Sequence, residues 1–253
     1  MRLVGLCLGL LVALLPISAA AQTDVDAQVI GVEGPERARL QAVVFRPPGN
    51  GPFPLLLVLH GSDGVHQGYL QWAPNFARAG YVTVVGCWFG TSQGQYPCQA
   101  VPGLMAPNLQ ATKNVVALID AGRRVPGVRR DRVGLVGNSL GGGMVAIAAS
   151  AGADVQGGVA ISGAFESTIS RNDASAIAVV ANLRGPLLIL HGTSDGNVPV
   201  REARTYEDSA RKLGKSVQAY YYDGGEHGLP WSPKFGEDVF RRSLEFLNQY
   251  VRR

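Results

Sequence analysis

The feature that most constrains this chain is an alternation: short apolar runs give way repeatedly to stretches of helical periodicity, with no repeat, low-complexity tract or internal linker between them. Val25 to Val32 and Leu40 to Phe45 read as an opening pair of strands. Pro54 to His60 (PLLLVLH) is apolar throughout, as expected of a strand buried on both faces. A helix from Tyr69 to Arg78, closed by Gly80, leads to a strand over Tyr81 to Val85 and a helix over Asn108 to Gly122. The pattern continues with strand Val133 to Val136, helix Leu140 to Ala149, strand Gly158 to Ile161 and a weakly helical stretch from Asp173 to Leu183. Strand Leu187 to His191, helix Val200 to Leu213, strand Val217 to Tyr222 and helix Glu237 to Tyr250 complete it. Such an order requires right-handed crossovers and so predicts an α/β fold, a mainly parallel sheet with helices on both faces. Ligands of these sheets bind beyond the carboxyl ends of the strands, so the chemistry is expected directly after the apolar runs.

The first residues do not fit this scheme. Arg2, the apolar run Leu3 to Leu15 and the small residues Ser18-Ala19-Ala20-Ala21 form the three regions of a secretory signal peptide, predicting residues 1–21 as a signal and 22–253 as one catalytic domain. About 13 apolar residues ending at Pro16 are too few for the roughly 20 of a membrane-spanning helix, so no membrane insertion is expected after cleavage. Beyond Cys7, inside the signal, only Cys87 and Cys98 remain, and an even pair in an exported protein predicts a disulfide. The net charge of +4 is modest, and the arginines at 123, 124, 129, 130 and 132 read as a solvated helix end and loop rather than a nucleic-acid patch.

The pattern Gly-x-Ser-x-Gly marks a strand-to-helix turn so sharp that side chains either side of the serine would meet backbone. It occurs around Ser92, Ser139 and Ser194, and with 33 glycines in 253 residues the bare match is weak. Context separates the three. Ser139 alone lies between a buried strand, VGLV, and a helix that begins at once, GGMVAIAA, whose free amides face a developing negative charge. Gln95, Tyr96 and Pro97 follow Ser92 without helical periodicity, and Asn197, Val198 and Pro199 separate Ser194 from its helix, which leaves Ser194 as the second candidate.

A serine hydroxyl needs an imidazole to take its proton and the imidazole needs a carboxylate to hold its tautomer. His60 and His191 end apolar strands and read as buried histidines bonded to nearby backbone; His66 lies in the following loop without an evident partner. His227, in DGGEHG between a strand and the last helix, is the candidate base, and Asp195, just after strand Leu187 to Leu190, the candidate acid, with Asp223 and Glu226 as rivals. For the oxyanion, the amide of Leu140 follows the nucleophile and a second donor is sought in His60-Gly61-Ser62-Asp63-Gly64, the amide of Ser62 first and that of Asp63 in reserve.

These motifs, LLLVLHGSDG, GLVGNSLGGG, LLILHGTSDGNVP and GGEHGL, resemble in residues and order the α/β-hydrolase superfamily, in particular its dienelactone hydrolase-like and prolyl-oligopeptidase-like branches. The resemblance implies a sheet of about eight strands, a triad of Ser139, Asp195 and His227, and an oxyanion hole from the Ser62 and Leu140 amides. Dienelactone hydrolases proper carry cysteine where this chain has Ser139, which points away from lactone opening by their route. Oligopeptidases carry a large additional domain, for which residues 22–253 leave no room, and secreted polyester hydrolases usually have an aromatic residue or histidine where this chain has Asn138. The expectation is therefore a secreted serine hydrolase of carboxylic esters acting through an acyl-enzyme. Thioester, amide and peptide substrates use the same machinery, and a non-catalytic binding protein of the same fold is the alternative from another class. Trp88, Phe89 and Trp231 are expected to line the substrate pocket, with a Cys87–Cys98 bridge fixing the Trp88 loop. No metal is expected, since histidines are not grouped at ligand spacing, and no other cofactor, since no nucleotide fingerprint occurs. A small-molecule ester substrate is the expected partner, and no nucleic acid.

Overall fold

The computed structural model describes residues 25–89, 108–167 and 174–253. Eight strands form one sheet: β1 (Asp26–Glu33), β2 (Arg39–Arg46), β3 (Phe53–Leu59), β4 (Val82–Gly86), β5 (Val128–Asn138), β6 (Gly157–Ile161), β7 (Leu187–Gly192) and β8 (Val217–Tyr222). Their spatial order is β1-β2-β4-β3-β5-β6-β7-β8. β2 pairs antiparallel with both β1 and β4, and every pair from β4 to β8 is parallel. Five α-helices connect or flank them: α1 (Gln67–Arg78), α2 (Asn108–Arg123), α3 (Leu140–Ser150), α4 (Val200–Lys212) and α5 (Gly236–Tyr250).

Burial explains the reading of the strands. Leu55 to Leu59 in β3 are fully enclosed, and they divide between the two cores on opposite faces of the sheet: Leu55, Leu57 and Leu59 lie in one and Leu56 and Val58 in the other. Each such side chain removed from water contributes about 2 kcal/mol, so a continuous apolar run is stable only where both faces are covered. α1 and α4 cover the sheet with one apolar face each: in α1, Tyr69, Trp72, Ala73, Phe76 and Ala77 recur at helical spacing. α3 differs, being buried from Gly141 to Ser150, which accounts for its small apolar residues without an amphipathic stripe.

Two elements depart from the sequence expectation. β5 starts at Val128, before the apolar run at Val133, because its half-buried first residues, Val128 and Arg129, pair with Phe53 and Pro54 before a register shift at Pro54/Leu55. The weakly helical stretch before β7 is a 3-10 turn over Ile177–Asn182, and its beginning lies outside the described residues. At the arginine-rich corner Arg123 meets Asp120 and Asp154, while Arg129 and Arg132 approach Asp131. Residues 1–21, expected to be a signal, Ser92 and Cys98 also lie outside the described residues. Among the described residues, no helix is long and apolar enough to cross a membrane.

Candidate active site

β5 ends at Asn138, and Ser139 reverses the chain into α3 with φ 59° and ψ −123°. This left-handed φ is uncommon for a residue with a Cβ and is held from both sides. The Ser139 amide donates to the Ile161 carbonyl, and the Ser139 carbonyl accepts from the amides of Gly143 and Ala164. A Cβ at Gly137 would stand 2.3 Å from the Gly141 carbonyl oxygen, and one at Gly141 would stand 2.3 Å from that of Leu59. The motif's two glycines are therefore a packing requirement. As the first residue of α3, Leu140 has an amide with no carbonyl four residues back within the helix.

Ser139, His227 and Asp195 meet at the carboxyl edge of the sheet. The Ser139 hydroxyl lies 2.9 Å from His227 Nε2, and His227 Nδ1 lies 2.8 and 3.0 Å from the two Asp195 oxygens. A carboxylate only accepts, so Nδ1 carries the proton and Nε2 is left bare to accept from the serine. Asp195 also accepts from the amides of Val198, at 2.8 Å, and Asn197, at 3.0 Å. Burial raises the Asp195 pKa, but these bonds from His227, Val198 and Asn197 outweigh it and hold the group below the ordinary carboxylate value. The rivals are placed elsewhere: Asp223 is exposed and accepts from Thr193, and Glu226 is exposed. Ser194 is also exposed, its amide donating to the Gly225 carbonyl.

Behind Asp195 sits a second imidazole. His191 Nε2 donates to the Val198 carbonyl at 2.9 Å and lies 3.4 Å from Asp195 Oδ2, so it braces the turn that presents the carboxylate. Burial lowers the His191 pKa, opposed by the Val198 bond and the Asp195 charge.

The loop after β3 is fastened at Gly61. His60 Nδ1 donates to the Gly61 carbonyl at 2.8 Å, the Gly64 amide donates to it at 3.2 Å, and the Gly61 amide donates to the Tyr69 hydroxyl at 2.8 Å. With the Gly61 amide engaged, Ser62 carries the next amide along the loop. Burial pushes the His60 pKa down to about 4, against the bond to Gly61, so the ring is neutral. Burial raises the Tyr69 hydroxyl, which therefore stays protonated.

The aromatic residues are placed differently from the expectation. Trp88 is fully enclosed and Phe89 nearly so: Trp88 stacks on His60 with ring centroids 5.3 Å apart and donates to the His60 carbonyl at 3.2 Å, and Phe89 meets the same ring edge-on. Both are therefore packed against the residue that opens the loop after β3, with little surface of their own exposed. Trp231 is partly exposed and packs against His66 and Tyr69. Cys87 is buried directly after β4. Tyr69 and the partner of His66 escaped the sequence reading: Tyr69 looks like any core position of α1, and only the i,i+3 spacing of Asp63 and His66 hinted at the 3.2 Å contact they make. No group of three or more metal-ligating side chains occurs among the described residues.

Comparison with known proteins agrees with this architecture. The model of the dienelactone hydrolase family matches residues 40–251. A Methylorubrum extorquens protein named "Putative carboxymethylenebutenolidase" is 24% identical over 97% of this chain and 90% of its own. The crystal structure of a "Putative Dienelactone Hydrolase" from Klebsiella pneumoniae superposes with a TM-score of 0.80 at 19% identity, covering 90% of this chain and 100% of that one. The acylaminoacyl peptidase of Pyrococcus horikoshii superposes with a TM-score of 0.76 at 19% identity over 90% of this chain, which spans 42% of the peptidase. The fold is that of the α/β-hydrolases.

Proposed function

This chain belongs to the dienelactone hydrolase family, and from that premise we propose that it is an exported serine hydrolase that cleaves carboxylic esters through an acyl-enzyme. The observation that carries this reading is the line of hydrogen bonds from Ser139 Oγ to His227 Nε2, 2.9 Å, and from His227 Nδ1 to Asp195, 2.8 Å. His227 takes the hydroxyl proton as Oγ bonds to the ester carbonyl carbon, and the carbonyl oxygen becomes an oxyanion that accepts from the Ser62 and Leu140 amides. Collapse of the intermediate breaks the carbon–oxygen bond to the alcohol, which leaves with the proton from His227. Water then enters by the same route in reverse: His227 takes one of its protons as the water oxygen bonds to the acyl carbon, the acyl–Oγ bond then breaks, and Ser139 recovers its hydrogen from His227 as the acid departs. Asp195 stays ionised throughout and stabilises the imidazolium.

Amide or peptide cleavage on the same three residues is the second reading, favoured by the peptidase among the structural neighbours. Trp231, partly exposed and packed against His66, is the aromatic residue we assign to substrate contact. Export rests on the leader pattern of residues 1–21, and a Cys87–Cys98 bridge on the presence of two cysteines beyond it.

The deciding experiment labels the purified protein with a fluorophosphonate and follows short-chain nitrophenyl esters. Ser139→Ala is expected to abolish both labelling and turnover, and labelling that persists in this variant overturns the assignment of the nucleophile. Amino-terminal sequencing of the exported protein is expected to start at Gln22.

A further inference from the structure

The triad leaves a second pair of titratable residues at the same corner unexplained. Asp63 Oδ1 and Ser139 Cβ lie 2.9 and 3.2 Å from a common point, the position a Cβ on Gly61 would occupy. The carboxylate is thus folded back over the oxyanion loop to within about 6 Å of the nucleophile's Cβ. Its side chain is 61% exposed, so it faces the solvent through which a substrate arrives. It also acts on the site, since after burial its charge is the next largest influence raising the Tyr69 hydroxyl.

The partner of this carboxylate does not cancel its charge. His66 Nε2 approaches Asp63 Oδ2 at 3.2 Å, while His66 Nδ1 accepts from the Gly68 amide at 3.0 Å, capping α1. That amide is a donor only, so Nδ1 is bare and the proton of the neutral ring is on Nε2, directed at Asp63. A neutral imidazole therefore suffices to orient the carboxylate and leaves it one full negative charge. The ring is in turn packed by Tyr69 and Trp231. Besides burial, the charge that raises the Tyr69 hydroxyl is that of Asp63, and the acids whose charges act on His191 are Asp195 and Glu202; Arg171 and Asp173 lie outside the described residues. Residues 90–107, which lead from Phe89 into α2, include no Asp, Glu, Lys or Arg.

We propose that Asp63, oriented by His66, is a specificity-determining carboxylate that turns the site against carboxylate-bearing esters and lactones and towards esters carrying an ammonium group. This deepens the ester-hydrolase reading above and rests on it. It also sets this chain apart from the activity in the name carboxymethylenebutenolidase, whose lactone bears a carboxylate. One unit charge about 6 Å away across a solvent-facing gap changes the binding of a charged substrate roughly two- to tenfold, with opposite signs for cation and anion.

The test uses nitrophenyl esters of one chain length whose acyl groups end in methyl, trimethylammonium or carboxylate, each kcat/KM divided by the ester's spontaneous hydrolysis rate. The full-length protein is expected to prefer the cationic over the anionic ester by about tenfold or more, with the preference shrinking in high salt. Asp63→Asn is expected to reduce that ratio to near unity, and His66→Gln, which removes the orienting ring but keeps the charge, to reduce it partly. A cation-to-anion ratio near unity in the unaltered protein, or a ratio that Asp63→Asn leaves in place, overturns the proposal. Failure of the underlying reading looks different: Ser139→Ala would then keep its turnover of the methyl-terminated ester, whatever the charge preference.

Discussion

Residues 54–64, PLLLVLHGSDG, and 186–196, PLLILHGTSDG, are close copies: in each a buried apolar run leads into His-Gly, with an aspartate within four residues of the histidine. Their fates diverge. His60 turns onto the carbonyl of its own neighbour, Gly61, at 2.8 Å, and Asp63 stays exposed with His66. His191 instead reaches the Val198 carbonyl, and Asp195 is enclosed, accepting from His227 and two amides. The second copy has one more residue, Thr193, between glycine and aspartate, and its strand abuts the loop after β8: a Cβ at Gly192 would stand 2.1 Å from the Gly225 carbonyl oxygen. Close backbone contact with the His227 loop makes the second aspartate a partner of His227, while the first, facing the end of β5, borders Ser139. Residue identity is the same in both copies; the neighbouring strand decides what the aspartate does.

This contrast can be broken most decisively at the two acids. Asp195→Asn is expected to lower kcat/KM on a neutral ester by roughly a thousand- to ten-thousandfold, because the amide no longer holds His227 in the accepting tautomer. A loss of that size on the same ester in Asp63→Asn would erase the distinction.

A smaller effect separates the two histidines. In the unfolded chain a histidine binds its proton below about pH 6.5, whereas folded His60 does so only near 4. Between those values the unfolded state holds more protons, so stability falls as the solution is acidified, by about 3 kcal/mol in total for this ring. Denaturant unfolding at pH 7 and pH 4.5 is expected to show a flatter pH dependence in His60→Gln than in the parent. The same replacement at His191, whose lowering is opposed by Asp195, is expected to flatten it less. Equal slopes would mean the two rings are buried alike.

The smallest expected effect is at Ser194, the serine of the second copy. It is exposed after β7, and Ser194→Ala is expected to leave kcat/KM within about twofold. A large loss there would bring the second glycine-flanked serine back into the chemistry.

Much of this could be read from the chain because the strands are apolar on both faces and the helices, except α3, on one. The elements lie within a few residues of where those runs put them, and the three motif residues Ser139, Asp195 and His227 fall on one sheet edge for the same reason. Contacts between side chains and backbone were harder to see. Tyr69 meets an amide eight residues away that any hydroxyl would suit, so its role left no trace in periodicity. Trp88 and Phe89 follow a strand, as rim residues do, and only their packing against His60 distinguishes them from surface. β5 begins before its apolar run because the pairing of Val128 and Arg129 with β3 is set by backbone bonds, which carry no hydrophobic signature.

The sheet order gives the site a history. From β3 the neighbours run β5, β6, β7 and β8, each new strand joining the same growing edge in the order of the chain. A polypeptide emerging from the ribosome or a translocon would therefore present Ser139 first, add Asp195 beyond β7, and acquire His227 only once β8 had docked. On the mechanism proposed above the serine has no proton acceptor until then, and its reactivity would appear together with the last strand of the sheet.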